Sequence, residues 1–138
     1  MRWRTELAAA LGDAGAGVHS LLEYRYVHRV ERPHGLPTAA RQRKVTRGER
    51  TEYRDADYEP LQVGVELDGR AAHPEAARWR DIRRDNANAA GGYVTLRYGW
   101  ADVTEHPCEV AAEVARVLRL RGWPGAPRRC GEHCTAVG

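Results

Sequence analysis

Three acids and a histidine stand close together in the middle of this chain, in an order that suits metal chemistry. Asp55 falls inside one strand-like segment, and Glu66 ends the next, eleven residues later. Two antiparallel strands joined by a short turn near Glu59-Pro60 bring such carboxylates to the same end of a sheet. Asp68, two residues after Glu66, points to the same side if the strand persists. Three carboxylates gathered there repel one another unless a cation sits between them, and hard oxygen ligands suit Mg²⁺ or Mn²⁺. His73 follows at the mouth of the next helix, where an imidazole could accept or donate a proton. Any one of these residues is also what a turn or a solvated sheet rim carries. The four together, at this spacing, favour a site.

The helix after His73 adds a second layer. Asp81, Arg84, Asp85 and Asn88 share one face at i, i+3, i+4 and i+7, with Trp79, Ile82 and Ala89 expected on the packed side. An arginine on that face could stabilise a phosphate anion, although the same spacing is common on solvated helix surfaces. Near the C-terminus, Cys130-Gly131-Glu132-His133-Cys134 sets two thiols four residues apart, and Cys108 could fold against them. Cys108, Cys130, Cys134 and His133 would make a Cys₃His zinc set, with His106 a competing choice for the histidine. Free thiols, or a bridge from Cys130 to Cys134 or from Cys108 to the tail, account for the same pattern.

The elements that must position these groups follow from periodicity and punctuation. Arg2–Leu11 reads as a short helix and Gly12–Gly17 as a flexible segment. Ser20-Leu21-Leu22-Glu23 matches a capping box, opening a helix with Leu22, Tyr26, Val27 and Val30 as its buried stripe and Pro33-x-Gly35 as its end. Residues 43–46 and 52–57 read as strands joined at Arg47-Gly48-Glu49. Leu61–Leu67 alternates, with Leu61, Val63, Val65 and Leu67 on one face and Glu66 on the other. Pro74 opens a helix that runs to about Ala90 before Gly91-Gly92. Tyr93–Tyr98 is a further strand, a connecting loop follows Trp100, and Pro107 opens a last helix striped by Val110, Val114, Val117 and Leu118. The order implies an α/β sandwich, a mixed central sheet of about four strands flanked by helices. Its divisions are 1–17, an N-terminal helix and flexible segment; 18–121, the main domain; and 122–138, a Cys-containing tail packed on that domain.

Composition narrows the functions without choosing one. At 138 residues the chain has room for one modest core. A net charge of +3 and a pI near 9.0 permit a polyanionic partner without demanding one. Of the 22 basic residues only Lys44 is a lysine, so the positive charge is almost all guanidinium. Guanidinium suits bidentate phosphate contacts, and a GC-rich coding bias explains it equally well. The odd count of three cysteines argues against a disulfide-stapled secreted fold. No membrane span and no signal peptide are read, so a cytoplasmic protein is the default expectation.

Taken together, Asp55-x₁₀-Glu66-Leu67-Asp68-Gly69-x₃-His73, then Arg80-Asp81-Ile82-Arg83-Arg84-Asp85-Asn86, then the strand Thr95-Leu96-Arg97-Tyr98 resemble the very-short-patch-repair-like endonuclease domains of the PD-(D/E)XK nuclease superfamily. The Ser20–Glu23 helix and Gln42 fit as well, so the similarity covers roughly residues 18 to 121. Its specific part is Val65–Gly69 with His73. The resemblance implies a restriction-endonuclease-like fold and Mg²⁺-assisted (or Mn²⁺-assisted) phosphodiester hydrolysis in DNA, in a repair, defence or toxin–antitoxin setting. On that resemblance Asp55 and Glu66 hold the metal, Asp68 supports it or binds water, and His73 assists proton transfer. Glu23 is an accessory acid, a role its capping position explains equally well, and Gln42 and Arg84 approach substrate phosphate. The superfamily's lysine two residues after the acid is replaced by Asp68, as is common in these domains. The expected nucleophile is therefore a metal-bound water of lowered pKa, steered by His73. Related domains often follow a winged-helix module. None is read here, so the sequence does not give the route to a target; the partners the resemblance implies are DNA and an antitoxin or DNA-recognition partner. The competing reading is a catalytically inactive nucleic-acid- or partner-binding module on the same fold, and a third is a zinc-held interaction module.

Overall fold

The computed structural model describes residues 14–68 and 75–137. The helix expected over Arg2–Leu11, and Gly69 and His73, lie outside them. The first element, α1 (Ala14–Arg25), runs straight into a π-helical segment, Tyr26–Glu31, closed by Arg32 N–H donating to the Val27 carbonyl at 3.0 Å. The wider π turn suits an apolar stripe that repeats every four residues, Leu22, Tyr26 and Val30, all buried. Pro33 follows at once, where no further helical N–H can be donated. The expected flexible segment and capping box are corrected here. The helix already spans Gly15–Gly17, and Ser20 is an exposed residue inside it rather than its cap. Glycine is a poor helix former, but buried Gly17 lies in the packed part of the helix, and tertiary packing overrides propensity.

β1 (Ala40–Arg47) and β2 (Arg50–Tyr58) form a hairpin whose two-residue turn places Gly48 at φ 60°, a left-handed conformation glycine adopts without strain. A 3₁₀ turn over Glu59–Leu61 leads to β3 (Val63–Asp68), antiparallel to β2. Leu61 therefore lies before the strand that the alternation assigned it to. Then come α2 (Glu75–Ala90) and β4 (Val94–Gly99), which pairs parallel with β3. The sheet order is β1-β2-β3-β4, a mixed sheet flanked by helices. The loop expected after Trp100 is instead a short helix, α3 (Trp100–Glu105), begun by Gly99 N–H donating to Asp102 Oδ2 at 2.8 Å. The last helix is α4 (Pro107–Leu120).

The apolar core fills one side of the sheet. Ala56, Tyr58, Val63, Val65, Leu67 and Tyr98 meet Leu22, Tyr26 and Val30 of the first helix, Val103 of α3, and Val110, Val114 and Leu118 of α4. Within it, the Tyr26 and Tyr58 hydroxyls share a hydrogen bond of 2.9 Å, and Tyr58 donates onward to buried Glu31 at 2.8 Å. These three buried polar groups are thereby paired rather than stranded.

The opposite side of the sheet is polar, and this reverses the expected orientation of α2. Trp79 is 58% exposed and Ile82 44%, and Ala89 is exposed too, whereas Asn88 is only 3% exposed. The sheet presents Thr95, Arg97 and the Arg54 side chain to this helix, so the polar helix face is the one that docks. Arg97 grips Asp85 through two hydrogen bonds of 2.9 and 2.7 Å, and Asn88 takes Arg54 and Thr95 at 3.1 Å each. Arg54 crosses directly over Gly64, where a Cβ would come within 3.3 Å of its Cδ, and its guanidinium stacks 3.7 Å from the centre of the Tyr93 ring. A side chain at Gly64 would push the Arg54 stem aside by a few tenths of an ångström.

Among the described residues the tail after Gly122 has no helix or strand, but it is anchored. Arg128 donates from its backbone to the His34 carbonyl at 2.8 Å and from its guanidinium to the Arg32 carbonyl at 3.1 Å, while Cys134 and Ala136 enter the core. No helix among the described residues is long and apolar enough to cross a membrane.

Candidate functional site

The β2–β3 ladder stops at Ala56 opposite Val65. Continuing the register by one residue sets Asp55 opposite Glu66, where the two strands no longer pair. The Leu67 N–H, beyond the end of the β2–β3 ladder, is taken by Asp55 Oδ2 at 2.7 Å. Strict alternation also fails at this point. Arg54 and Asp57, three residues apart, lie on the same side, with 3.7 Å between guanidinium and carboxylate. On the neighbouring strand Gln42 has φ 51°, unusual for a residue with a side chain. Distorted backbone on both strands thus aims Asp55 at the open end of the sheet.

Helix α1 closes that end. His19 and Glu23 are four residues apart on one of its faces, next to the Leu22–Tyr26 stripe that holds the helix down. His19 Nε2 lies 3.0 Å from Asp55 Oδ1, and its Nδ1 lies 3.7 Å from Glu23 Oε1. The Gln42 amide donates to Asp55 Oδ1 at 3.1 Å and also to Glu23 Oε1. One ligand atom from each of His19, Glu23 and Asp55 falls within 4.8 Å of the others.

The electrostatics divide the two strand carboxylates. Burial disfavours charge on Asp55, but hydrogen bonds from His19, the Leu67 amide and Gln42 outweigh it and hold its carboxyl below the usual range. Glu66 is also only 7% exposed, and burial and then the Asp55 charge push it up to about 8, against the pull of Arg84 and Arg97. The Asp55 hydrogen bond raises the His19 pKa despite burial, and burial raises that of Glu23. One carboxylate is ionised and stabilised, and its neighbour is held protonated until the pH is high or a cation arrives.

Asp55 and Glu66 lie near enough for the Asp55 charge to raise the Glu66 pKa, although Glu66 is outside the 4.8 Å group, and Glu23 and Gln42 join Asp55. Asp68 ends β3, half-buried and outside the 4.8 Å group, and His73 lies outside the described residues. Arg84 hydrogen-bonds Asp81 at 2.9 Å while remaining close enough to Glu66 to favour its charge. In this group His19 is the residue that sequence reasoning missed. Its i,i+4 spacing from Glu23 was the available signal, hidden because Gly12–Gly17 read as flexible and Ser20 as the helix start.

A second group is separate from the first. His34, Cys108, Cys130 and Cys134 each offer an atom within 4.8 Å of the others, and all three cysteines are free thiols. The histidine beside the thiols is His34. His133 is exposed and outside that group, as is His106, which faces Glu109 at 3.5 Å.

No protein-family model matches the chain, and no curated protein or solved structure matches it either.

Proposed function

We propose that this chain is a divalent-metal-dependent endonuclease that hydrolyses phosphodiester bonds in DNA, on a restriction-endonuclease-like fold of the very-short-patch-repair-like kind and in a cytoplasmic setting. One observation carries the reading. Two buried carboxylates, Asp55 and Glu66, lie close together where an antiparallel ladder ends, with Glu23 and His19 beside Asp55. Placing that many acids out of water is costly unless a cation compensates them.

The donor set fits a hard ion. Carboxylate oxygens of Asp55, Glu66 and Glu23 would hold Mg²⁺ or Mn²⁺, with Asp68 at the rim. Bound there, the ion would supply Lewis-acid activation of water and charge neutralisation at the phosphate. The chain's own residues do the rest. The Leu67 amide and Gln42 fix the Asp55 carboxylate, so its orientation is set before substrate arrives. His19, which is partly exposed and contacts Asp55, is the described imidazole placed to move a proton, alongside the role expected of His73. Arg84 can exchange Asp81 for a substrate phosphate, while Arg97 stays committed to Asp85 and keeps α2 on the sheet.

The test is nicking of supercoiled plasmid with Mg²⁺ or Mn²⁺, comparing wild type with Asp55→Ala and Glu66→Ala. Metal-dependent nicking that both substitutions reduce by at least about 100-fold is expected. Equal nicking by all three proteins defeats the proposal. Salt-sensitive DNA binding without cleavage under any metal would point instead to an inactive binding module.

A further inference from the structure

We propose that His34, Cys108, Cys130 and Cys134 bind a structural zinc ion that clips the C-terminal tail onto the end of the first helix. The four ligand atoms come from three places in the chain: the loop after the π-helical segment, the first turn of α4, and the tail. They converge to within 4.8 Å of one another, with the Cys108 and Cys130 sulfurs 3.5 Å apart.

His34 is the observation that points to an ion. It is fully buried, and its Nδ1 lies 2.7 Å from the Val30 carbonyl oxygen. A carbonyl can only accept, so Nδ1 carries the proton and Nε2 presents a lone pair. That buried Nε2 has no hydrogen-bond partner. An imidazole oriented through one nitrogen by a backbone carbonyl, with the other nitrogen facing thiols, is how zinc-ligating histidines are held. Three thiols and an imidazole are a soft, tetrahedral donor set that suits Zn²⁺ and not Mg²⁺ or Ca²⁺. A Cys108–Cys130 disulfide would account for two sulfurs but leave Nε2 of His34 and the Cys134 thiol unexplained.

The tail supports the same assignment. Its Cys130–Cys134 turn closes through Cys134 N–H donating to the Gly131 carbonyl at 3.3 Å. The Ala136 N–H donates to the Cys134 sulfur at 3.4 Å, a contact that favours a thiolate. Cys134 is turned inward, and His133, between the two thiols in sequence, is turned out to solvent. With no helix or strand of its own, the tail gains from the ion a fixed attachment far away in sequence. The segment it pins, Tyr26–Glu31, continues directly from the helix that carries His19 and Glu23.

The full chain, expressed with zinc in the medium and purified without chelator, tests this by metal analysis and thiol titration. About one zinc per chain is expected, with thiols that react only after a strong chelator or denaturant is added. Replacement by Co²⁺ should give the absorption of a tetrahedral, thiolate-ligated ion. His133→Ala should keep full zinc, whereas His34→Gln and Cys130→Ser should weaken it by at least about 10-fold. Stripping the ion should lower the melting midpoint by about 10 °C or more. If His34→Gln fails to fold, the wild-type metal content and the Co²⁺ spectrum still decide. Zinc-free protein with three freely titrating thiols, or with a Cys108–Cys130 disulfide by mass, overturns the proposal. So does zinc that is lost in His133→Ala.

Discussion

Replacing Glu66 by Gln should flatten the loss of folding stability that wild type shows as pH rises in Mg²⁺-free buffer. Burial and the Asp55 charge raise the folded-state pKa of Glu66 from 4.5 to about 8. A group whose folded pKa is raised adds stability that is fully present below the unfolded value and is lost as pH climbs through the folded one. The window therefore runs from about 4.5 to about 8, and stability falls across it. At about 1.36 kcal/mol per pH unit the upper bound is about 4–5 kcal/mol. Because the repulsion is shared with Asp55, which can relax, about 2–3 kcal/mol is the working expectation. His19 and Glu23 are also raised and contribute with the same sign, but both remain in the variant. The difference between the two proteins therefore reports Glu66 together with the smallest of the causes that raise His19, the Glu66 charge itself. Asp55 is lowered, so its contribution is lost only in strong acid, outside the window. The assay is urea unfolding at about pH 5.5 and about pH 8.5, with divalent ions omitted rather than chelated so that the cysteine site is undisturbed. Wild type should lose stability between the two pH values, Glu66→Gln should lose markedly less, and Mg²⁺ at the higher pH should restore wild type alone. Parallel profiles for the two proteins would refute the reasoning.

Two further outcomes test the packing of α2. Asn88→Ala removes the acceptor for Arg54 and Arg47 and the donor to Thr95 at a 3% exposed position, and should cost about 2–4 kcal/mol by denaturant unfolding. Trp79→Ala removes a large side chain that is mostly in water, and should change stability by less than about 1 kcal/mol. A large loss on Trp79→Ala would mean that the apolar face of α2 is the docked one after all.

The contrast between those two residues shows where sequence reasoning worked and where it could not. Alternation located β3, and the glycine at Gly48 marked the turn that joins β1 to β2, because period-two patterning and turn chemistry are local. The stripe of α4 was equally plain. Helix α2 misled because an amphipathic helix is ordinarily assigned its apolar face as the docked one, whereas this side of the sheet carries Arg97, Thr95 and Asp57. That fact belongs to another element and cannot be read from the helix. The start of α1 was hidden by glycines whose low propensity is overcome by packing, and His19 was hidden with it. In the site, the Asp55–Glu66 pairing followed from strand order. The cysteine group showed its three thiols in sequence but not its histidine, because His34 reaches Cys108 only through the tertiary fold.

The most direct measurement of the central claim is anomalous diffraction from a crystal soaked in Mn²⁺. The account predicts a peak within coordination distance, about 2.0–2.3 Å, of carboxylate oxygens of Asp55 and Glu66, lost in Asp55→Ala. Saturating Mn²⁺ with no peak between those two residues, or with peaks only elsewhere on the surface, would contradict it.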